Sequence, residues 1–240
     1  MIALEIRDSN SIGNDTGTAT CIVVRRRDQV IVNHYLMSCL HVYGLLNVSS
    51  IQQTVPAQVL SNNQHIATYR GLGGSLNNTN TGIWSFDVAL AEIESDAILN
   101  DLRARFNGLP FATWNALDTW PSSAIIHATR RENNNNAERE VPITAQNLQL
   151  LRGNQQVVRY SNANPPFNAA FRLVVKYRAN TLPGDSGSPV TAQTEFGPRF
   201  LGIHIASDGQ GEGYMLPAEE IINNAHLYIR GLDGDRLSLI

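Results

Sequence analysis

The sequence predicts an all-β fold of two β units of similar size, joined by a short helix and closed by a C-terminal α-helix. Three observations carry this. The apolar segments are short, rich in β-branched residues and bounded by Gly, Asn, Asp or Pro. No rhythm of strand followed by a 10–15-residue helix appears, which argues against a doubly wound sheet. The chain has 240 residues, 42% apolar and 16% charged, enough to fill a sizeable core and too little charge for a disordered or coiled-coil chain.

The predicted strands are "TATCIVV" (18–24), "QVIV" (29–32), "DVALAEI" (87–93), "AIIHAT" (124–129), "FRLVVKY" (171–177), "PVTA" (189–192) and "RFLGIHIA" (199–206). Two segments have helical spacing. Over 95–106, Ile98, Leu99, Leu102 and Phe106 share one face, Ser95 or Asp96 caps the start, and Asn107-Gly108 stops it. Over 217–229, Pro217 suits the first position and Glu219 and Glu220 the first turn, where the dipole favours acids. The polar runs at 62–64, 77–82 and 132–140 read as surface loops. The expected division is 1–110, with the linker helix, and 111–240, with the closing helix.

The net charge of −3 supplies no field to hold nucleic acid or an anionic membrane. The longest apolar runs fall far short of the ~20 residues a membrane helix needs. The start carries Glu5 and Asp8 and lacks the pattern of a secretory signal, so a cytoplasmic protein is expected, or one whose targeting segment was removed. Two cysteines, Cys21 and Cys39, lack zinc-site spacing. They are expected as free thiols, with no metal and no cofactor.

One segment dominates the chemistry: Gly184-Asp185-Ser186-Gly187-Ser188-Pro189. Its core arises by chance in about one of two hundred chains this long. A serine hydroxyl is a poor nucleophile and needs a base beside it, and acyl transfer needs backbone N–H groups aimed at the developing oxyanion. Glycine two residues before the serine lets its N–H and that of the serine converge. The base must be a histidine, oriented by a carboxylate. His41 ends the apolar run "YLMSCLH", and Asp87 opens the apolar "DVALAEI". Alone, each reads more simply as a half-buried structural histidine and a strand-entry cap.

"MSCLHV", "FDVALAEI" and "GDSGSP" resemble, in this order, the three signature segments of trypsin/chymotrypsin-like serine proteases. The order His…Asp…Ser is that of this family, not the Ser…Asp…His of α/β-hydrolases. "GTATCIVV", "FLGIHIAS" and "GYMLPAEEI" extend the likeness over about residues 14 to 230. The resemblance implies two six-stranded antiparallel β-barrels with the site between them, and a serine endopeptidase acting on a protein or peptide substrate. By position, Ser186 is the nucleophile, His41 the general base and acid, and Asp87 its orienting group. The N–H groups of Gly184 and Ser186 form the oxyanion hole.

The sequence departs from the family in several places. "MSCL" replaces the usual residues before the histidine, and Ser188 replaces a glycine. The usual disulfides cannot form. The family's "IVGG" start, whose freed amine pairs with the aspartate before the nucleophile, is missing. Asp185 therefore has an internal partner, or its loop is ordered only by an activating partner protein; the sequence leaves both open. The resemblance places Asn180, Thr181, His204 and Ser207 in the substrate-binding pocket. No acid stands at Asn180, which argues against cleavage after Arg or Lys. The polar trio resembles the pockets of viral picornavirus-type proteases and of bacterial glutamate-specific proteases, which implies Glu or Gln before the cut bond. Two other classes compete: a catalytically silent protease-fold binding module, and an esterase-type acyl hydrolase.

Overall fold

The computed structural model describes residues 4–8, 16–43, 57–77, 79, 83–110, 112–115, 119–131, 138–153, 157–160, 166–229, 231–232 and 235–240. The first three residues, most of the run at 77–82 and residues 132–137 of the run at 132–140 lie outside them.

The first β unit is an antiparallel sheet. Its strands in chain order are β1 (Leu4–Asp8), β2 (Gly17–Ala19), β3 (Cys21–Arg27), β4 (Val30–Ser38), β5 (Ala57–Ser61), β6 (Gln64–Gly73) and β7 (Ala89–Glu92). An eighth strand, β16 (Arg236–Leu239), joins it from the far end of the chain, giving the order β16-β3-β4-β7-β6-β5-β1-β2. Cys21, Ile22, Val23 and Val24 are all fully buried, which explains why this stretch of β3 reads as a continuous apolar run rather than an alternating one. Helix α1 (Asp96–Phe106) follows β7 and buries Leu99, Leu102 and Phe106, as its spacing predicts. Ser95 is the N-cap residue, without a side-chain capping bond.

The second unit is a closed six-stranded barrel. It comprises β8 (Ser123–Arg131), β9 (Glu138–Arg152), β12 (Leu173–Arg178), β13 (Pro189–Thr194), β14 (Gly197–Ser207) and β15 (Glu212–Pro217). Between β9 and β12 a separate hairpin, β10 (Val157–Tyr160) and β11 (Phe167–Ala170), pairs only with itself. The fold class is thus the all-β, two-unit architecture expected, with helices near the C-terminus.

Several details differ from the sequence reading. Gln29 lies in the β3–β4 turn and not in a strand: Asp28 and Gln29 both have positive φ. The run at 62–64 is a surface connection only at its first two residues. Asn62 and Asn63 form a two-residue hairpin turn with positive φ, a conformation asparagine tolerates, and Gln64 already belongs to β6. Residues 138–140 start β9. The closing helix is split into α2 (Ala218–Asn223) and α3 (Ala225–Tyr228), with Pro217 as N-cap residue. The break falls at Asn224, beside buried Glu220. Its carboxylate takes Asn224 Nδ2 at 2.8 Å and Tyr228 Oη at 2.8 Å and pairs with Arg172, and Asn224 leaves helical geometry.

Candidate active site

The candidate residues come from both units. Just after β4, a short 3-10 turn (Leu40–Tyr43) carries His41. Asp87 lies two residues before β7 and is fully buried. An isolated buried carboxylate is costly unless its oxygens are satisfied. Here Oδ1 accepts from the His41 backbone N–H at 3.1 Å, and Oδ2 lies 2.7 Å from His41 Nδ1. A third bond comes from a residue no motif indicated: Tyr160 Oη donates to Asp87 Oδ2 at 2.7 Å, and its ring meets His41 edge-on at 5.5 Å. The bond to Nδ1 leaves Nε2 as the imidazole atom available to a nucleophile.

Ser186 lies in the turn between β12 and β13. Its carbonyl and those of Gly184 and Gly187 are bonded to the first unit. Thr18 N–H donates to Ser186 O at 2.8 Å, Thr18 Oγ1 to Gly184 O at 3.3 Å, and Thr20 Oγ1 to Gly187 O at 2.6 Å. Gly187, at φ +90°, sits so close that an added Cβ would stand 1.8 Å from the Thr18 carbonyl oxygen. The N–H groups of this turn divide in a telling way. Those of Asp185, Gly187 and Ser188 donate to Leu182 O, His204 O and Asp185 O. Among the described residues, those of Gly184 and Ser186 have no acceptor, and these are the two expected at the oxyanion hole. Gly184 holds φ +95°, which glycine adopts without strain. Ser186 Oγ rests 3.4 Å from the Ile205 carbonyl, and no hydrogen bond joins it to His41.

Asp185 is buried and has an internal partner. Its Oδ2 accepts from Leu182 N–H at 2.7 Å and pairs with an Arg130 terminal nitrogen at 3.1 Å. A solved structure sharing this architecture is the active form of the Rv3671c protease from M. tuberculosis. It superposes with a TM-score of 0.50 at 17% identity, over 95% of this chain and 80% of that one. The fold is that of a chymotrypsin-like protease. The inactive form of the same protein gives 0.49 at 15% identity (92% and 85% covered), and the murine norovirus NS6 protease 0.38 at 11% (79% and 84% covered). No family model and no curated protein match the sequence.

Within this chymotrypsin-like fold, the expected pocket residues occupy the second barrel. Asn180 is exposed just after β12, and Ser207 is half-buried at the end of β14. Thr181 is buried, and its hydroxyl has no partner among the described residues. His204 is buried on β14, and its Nδ1 lies 2.5 Å from Tyr177 Oη. Burial, reinforced by the nearby His41, pulls the His204 pKa down to about 3, so its ring is neutral at physiological pH. Tyr177 reaches it because Gly213, opposite on β15, has no side chain where the ring lies.

Cys39 donates to the His204 carbonyl at 3.3 Å and lies close to the His41–Asp87 pair. Burial, with the Asp87 charge adding to it, raises its pKa well above the ordinary thiol value, so it stays a protonated thiol and no rival nucleophile. Both cysteines are free. Sequence reasoning missed Tyr160, Tyr177 and Arg130. Only Arg130 left a signal: it shares the inward phase of β8 with buried Ala124, Ile126 and Ala128, where a charge needs a buried partner.

Proposed function

We propose that this chain is a serine endopeptidase that cleaves after Gln or Glu through an acyl-enzyme. One observation carries the reading. A buried carboxylate orients a histidine, while the two N–H groups flanking Asp185 remain unengaged in a turn whose carbonyls are all tied down. Ser186 Oγ leaves the Ile205 carbonyl, gives its proton to His41 Nε2 and attacks the scissile carbonyl. The oxyanion forms against the Gly184 and Ser186 N–H groups. His41 then protonates the leaving amine, and water repeats the sequence on the acyl-enzyme. Catalytic hydrogen bonds are often slack before substrate arrives, and the Ser186 rotamer fits that pattern.

The pocket reading rests on neutral His204, held by Tyr177, and on the unpartnered Thr181 hydroxyl. One N–H and one hydroxyl suit an amide or carboxyl oxygen, and a neutral ring gives glutamate no charge advantage. An apolar side chain would leave these buried groups unpaired, at about 1–3 kcal/mol each. The Arg130–Asp185 pair supports an oxyanion loop that is ordered without an activating partner. Two free buried thiols fit a reducing compartment, the cytoplasm. Among the described residues, no helix is long and apolar enough to cross a membrane.

A fluorophosphonate probe and a peptide library test the reading together. Labelling at Ser186 with cleavage after Gln or Glu is expected. An unlabelled protein would be the silent binding module. Labelling with turnover of esters alone would be the acyl hydrolase.

A further inference from the structure

The β10–β11 hairpin belongs to neither sheet. Among the described residues its strands pair only with each other, in the register Tyr160↔Phe167 to Val157↔Ala170. Yet it holds the acid of the candidate triad at two points. At one end, the Ala170 carbonyl accepts from the Ser85 N–H at 2.7 Å, two residues before Asp87. At the other, the Tyr160 hydroxyl donates to Asp87 Oδ2 at 2.7 Å, the oxygen that also faces His41 Nδ1. Tyr160 is buried, and its ring edge lies against the imidazole. Asp87 and His41 both come from the first unit, so the group that completes them arrives from an appendage of the second.

We propose that Tyr160 is a positioning residue of the triad and that, through it, docking of the β10–β11 hairpin sets the competence of His41. The inference rests on the protease reading for its consequence in catalysis, but not for its physical content. A carboxylate oxygen serving two donors cannot rotate away from the imidazole without abandoning both. Tyr160 also remains a donor at working pH. Burial raises its pKa well above the usual phenol value, and the Asp87 charge and hydrogen bond raise it further. The other titratable groups facing the pair are Cys39, a protonated thiol, and His204, neutral above about pH 3.

Tyr160→Phe keeps the ring and removes only the hydroxyl. Without that donor, more of the carboxylate's charge falls on His41, so its imidazolium is favoured. The expected result is a kcat lower by roughly tenfold, KM within twofold, and an acid limb of the rate profile moved up by about half a pH unit. NMR titration of the His41 ring in the full chain should show the same upward shift without any turnover. An unchanged His41 titration together with unchanged kcat overturns the proposal. If the unaltered protein cleaves no peptide, the protease reading fails, while the NMR shift still decides whether Tyr160 governs the His41–Asp87 pair.

Discussion

At the scale of the residue, the hydroxyl of Ser186 is held by little more than the Ile205 carbonyl, so its removal should cost chemistry and almost no stability. Ser186→Ala is expected to lower kcat by about a million-fold, as loss of the nucleophile does in another serine protease, with an unaltered thermal unfolding midpoint. Retained turnover in a preparation free of contaminating proteases would dismiss the assignment. His41, Asp87 and Ser186 were legible because each stands in a segment whose residue types are constrained together: a histidine closing one apolar run, an acid opening another, a serine in Gly-Asp-Ser-Gly. Tyr160 was not legible. Nothing in "VVRYSNANPP" marks this tyrosine, because its partner is 73 positions away and is found only once the hairpin folds back. Tyr177 stayed hidden for the same reason, since its role depends on the missing side chain of Gly213 across the strand pair.

At the scale of the element, β8 places a guanidinium beneath the nucleophile turn. Arg130→Met should leave the buried Asp185 carboxylate with the Leu182 N–H as its chief support, destabilising the protein by about 1–3 kcal/mol. Chemical denaturation should read that loss, and Asp185→Asn in the same chain should restore much of it. Equal stability of Arg130→Met and the parent would mean that the pair is ornamental. Strands with long buried apolar runs, such as β3 and β14, were the easiest to locate. Those passed over, β1, β5, β6, β9, β10, β11 and β16, are short or interrupted by polar residues. In β9 only Ile143 and Ala145 are buried, so its 15 residues show too sparse an apolar period to stand out. The closing helix was located, but its break at Asn224 was not, because the helical apolar spacing runs on across it.

At the scale of the whole molecule, burial of His204 makes stability depend on pH. The unfolded chain binds a proton at this residue below pH 6.5, whereas the folded chain resists until about pH 3. A lowered pKa in the native state means stability that is complete above 6.5 and is lost as pH falls from 6.5 towards 3, by up to about 5 kcal/mol. Desolvation lowers the pKa of half-buried His127 too, so it acts in the same direction. Stability measured by denaturant at successive pH values should fall through this window, and His204→Gln should flatten the slope by nearly one proton. An unchanged slope would mean that His204 is protonated in the native state. The strand β16 has a consequence of another kind. Its pairing of Arg236 with Arg26 joins residues 210 positions apart, so the first sheet closes only after the second barrel's sequence has been made. Long loops must be brought together before such contacts repay their entropy, which slows folding. A growing chain therefore cannot finish its first half on its own, and while it waits the open edge of β3 invites pairing with another chain.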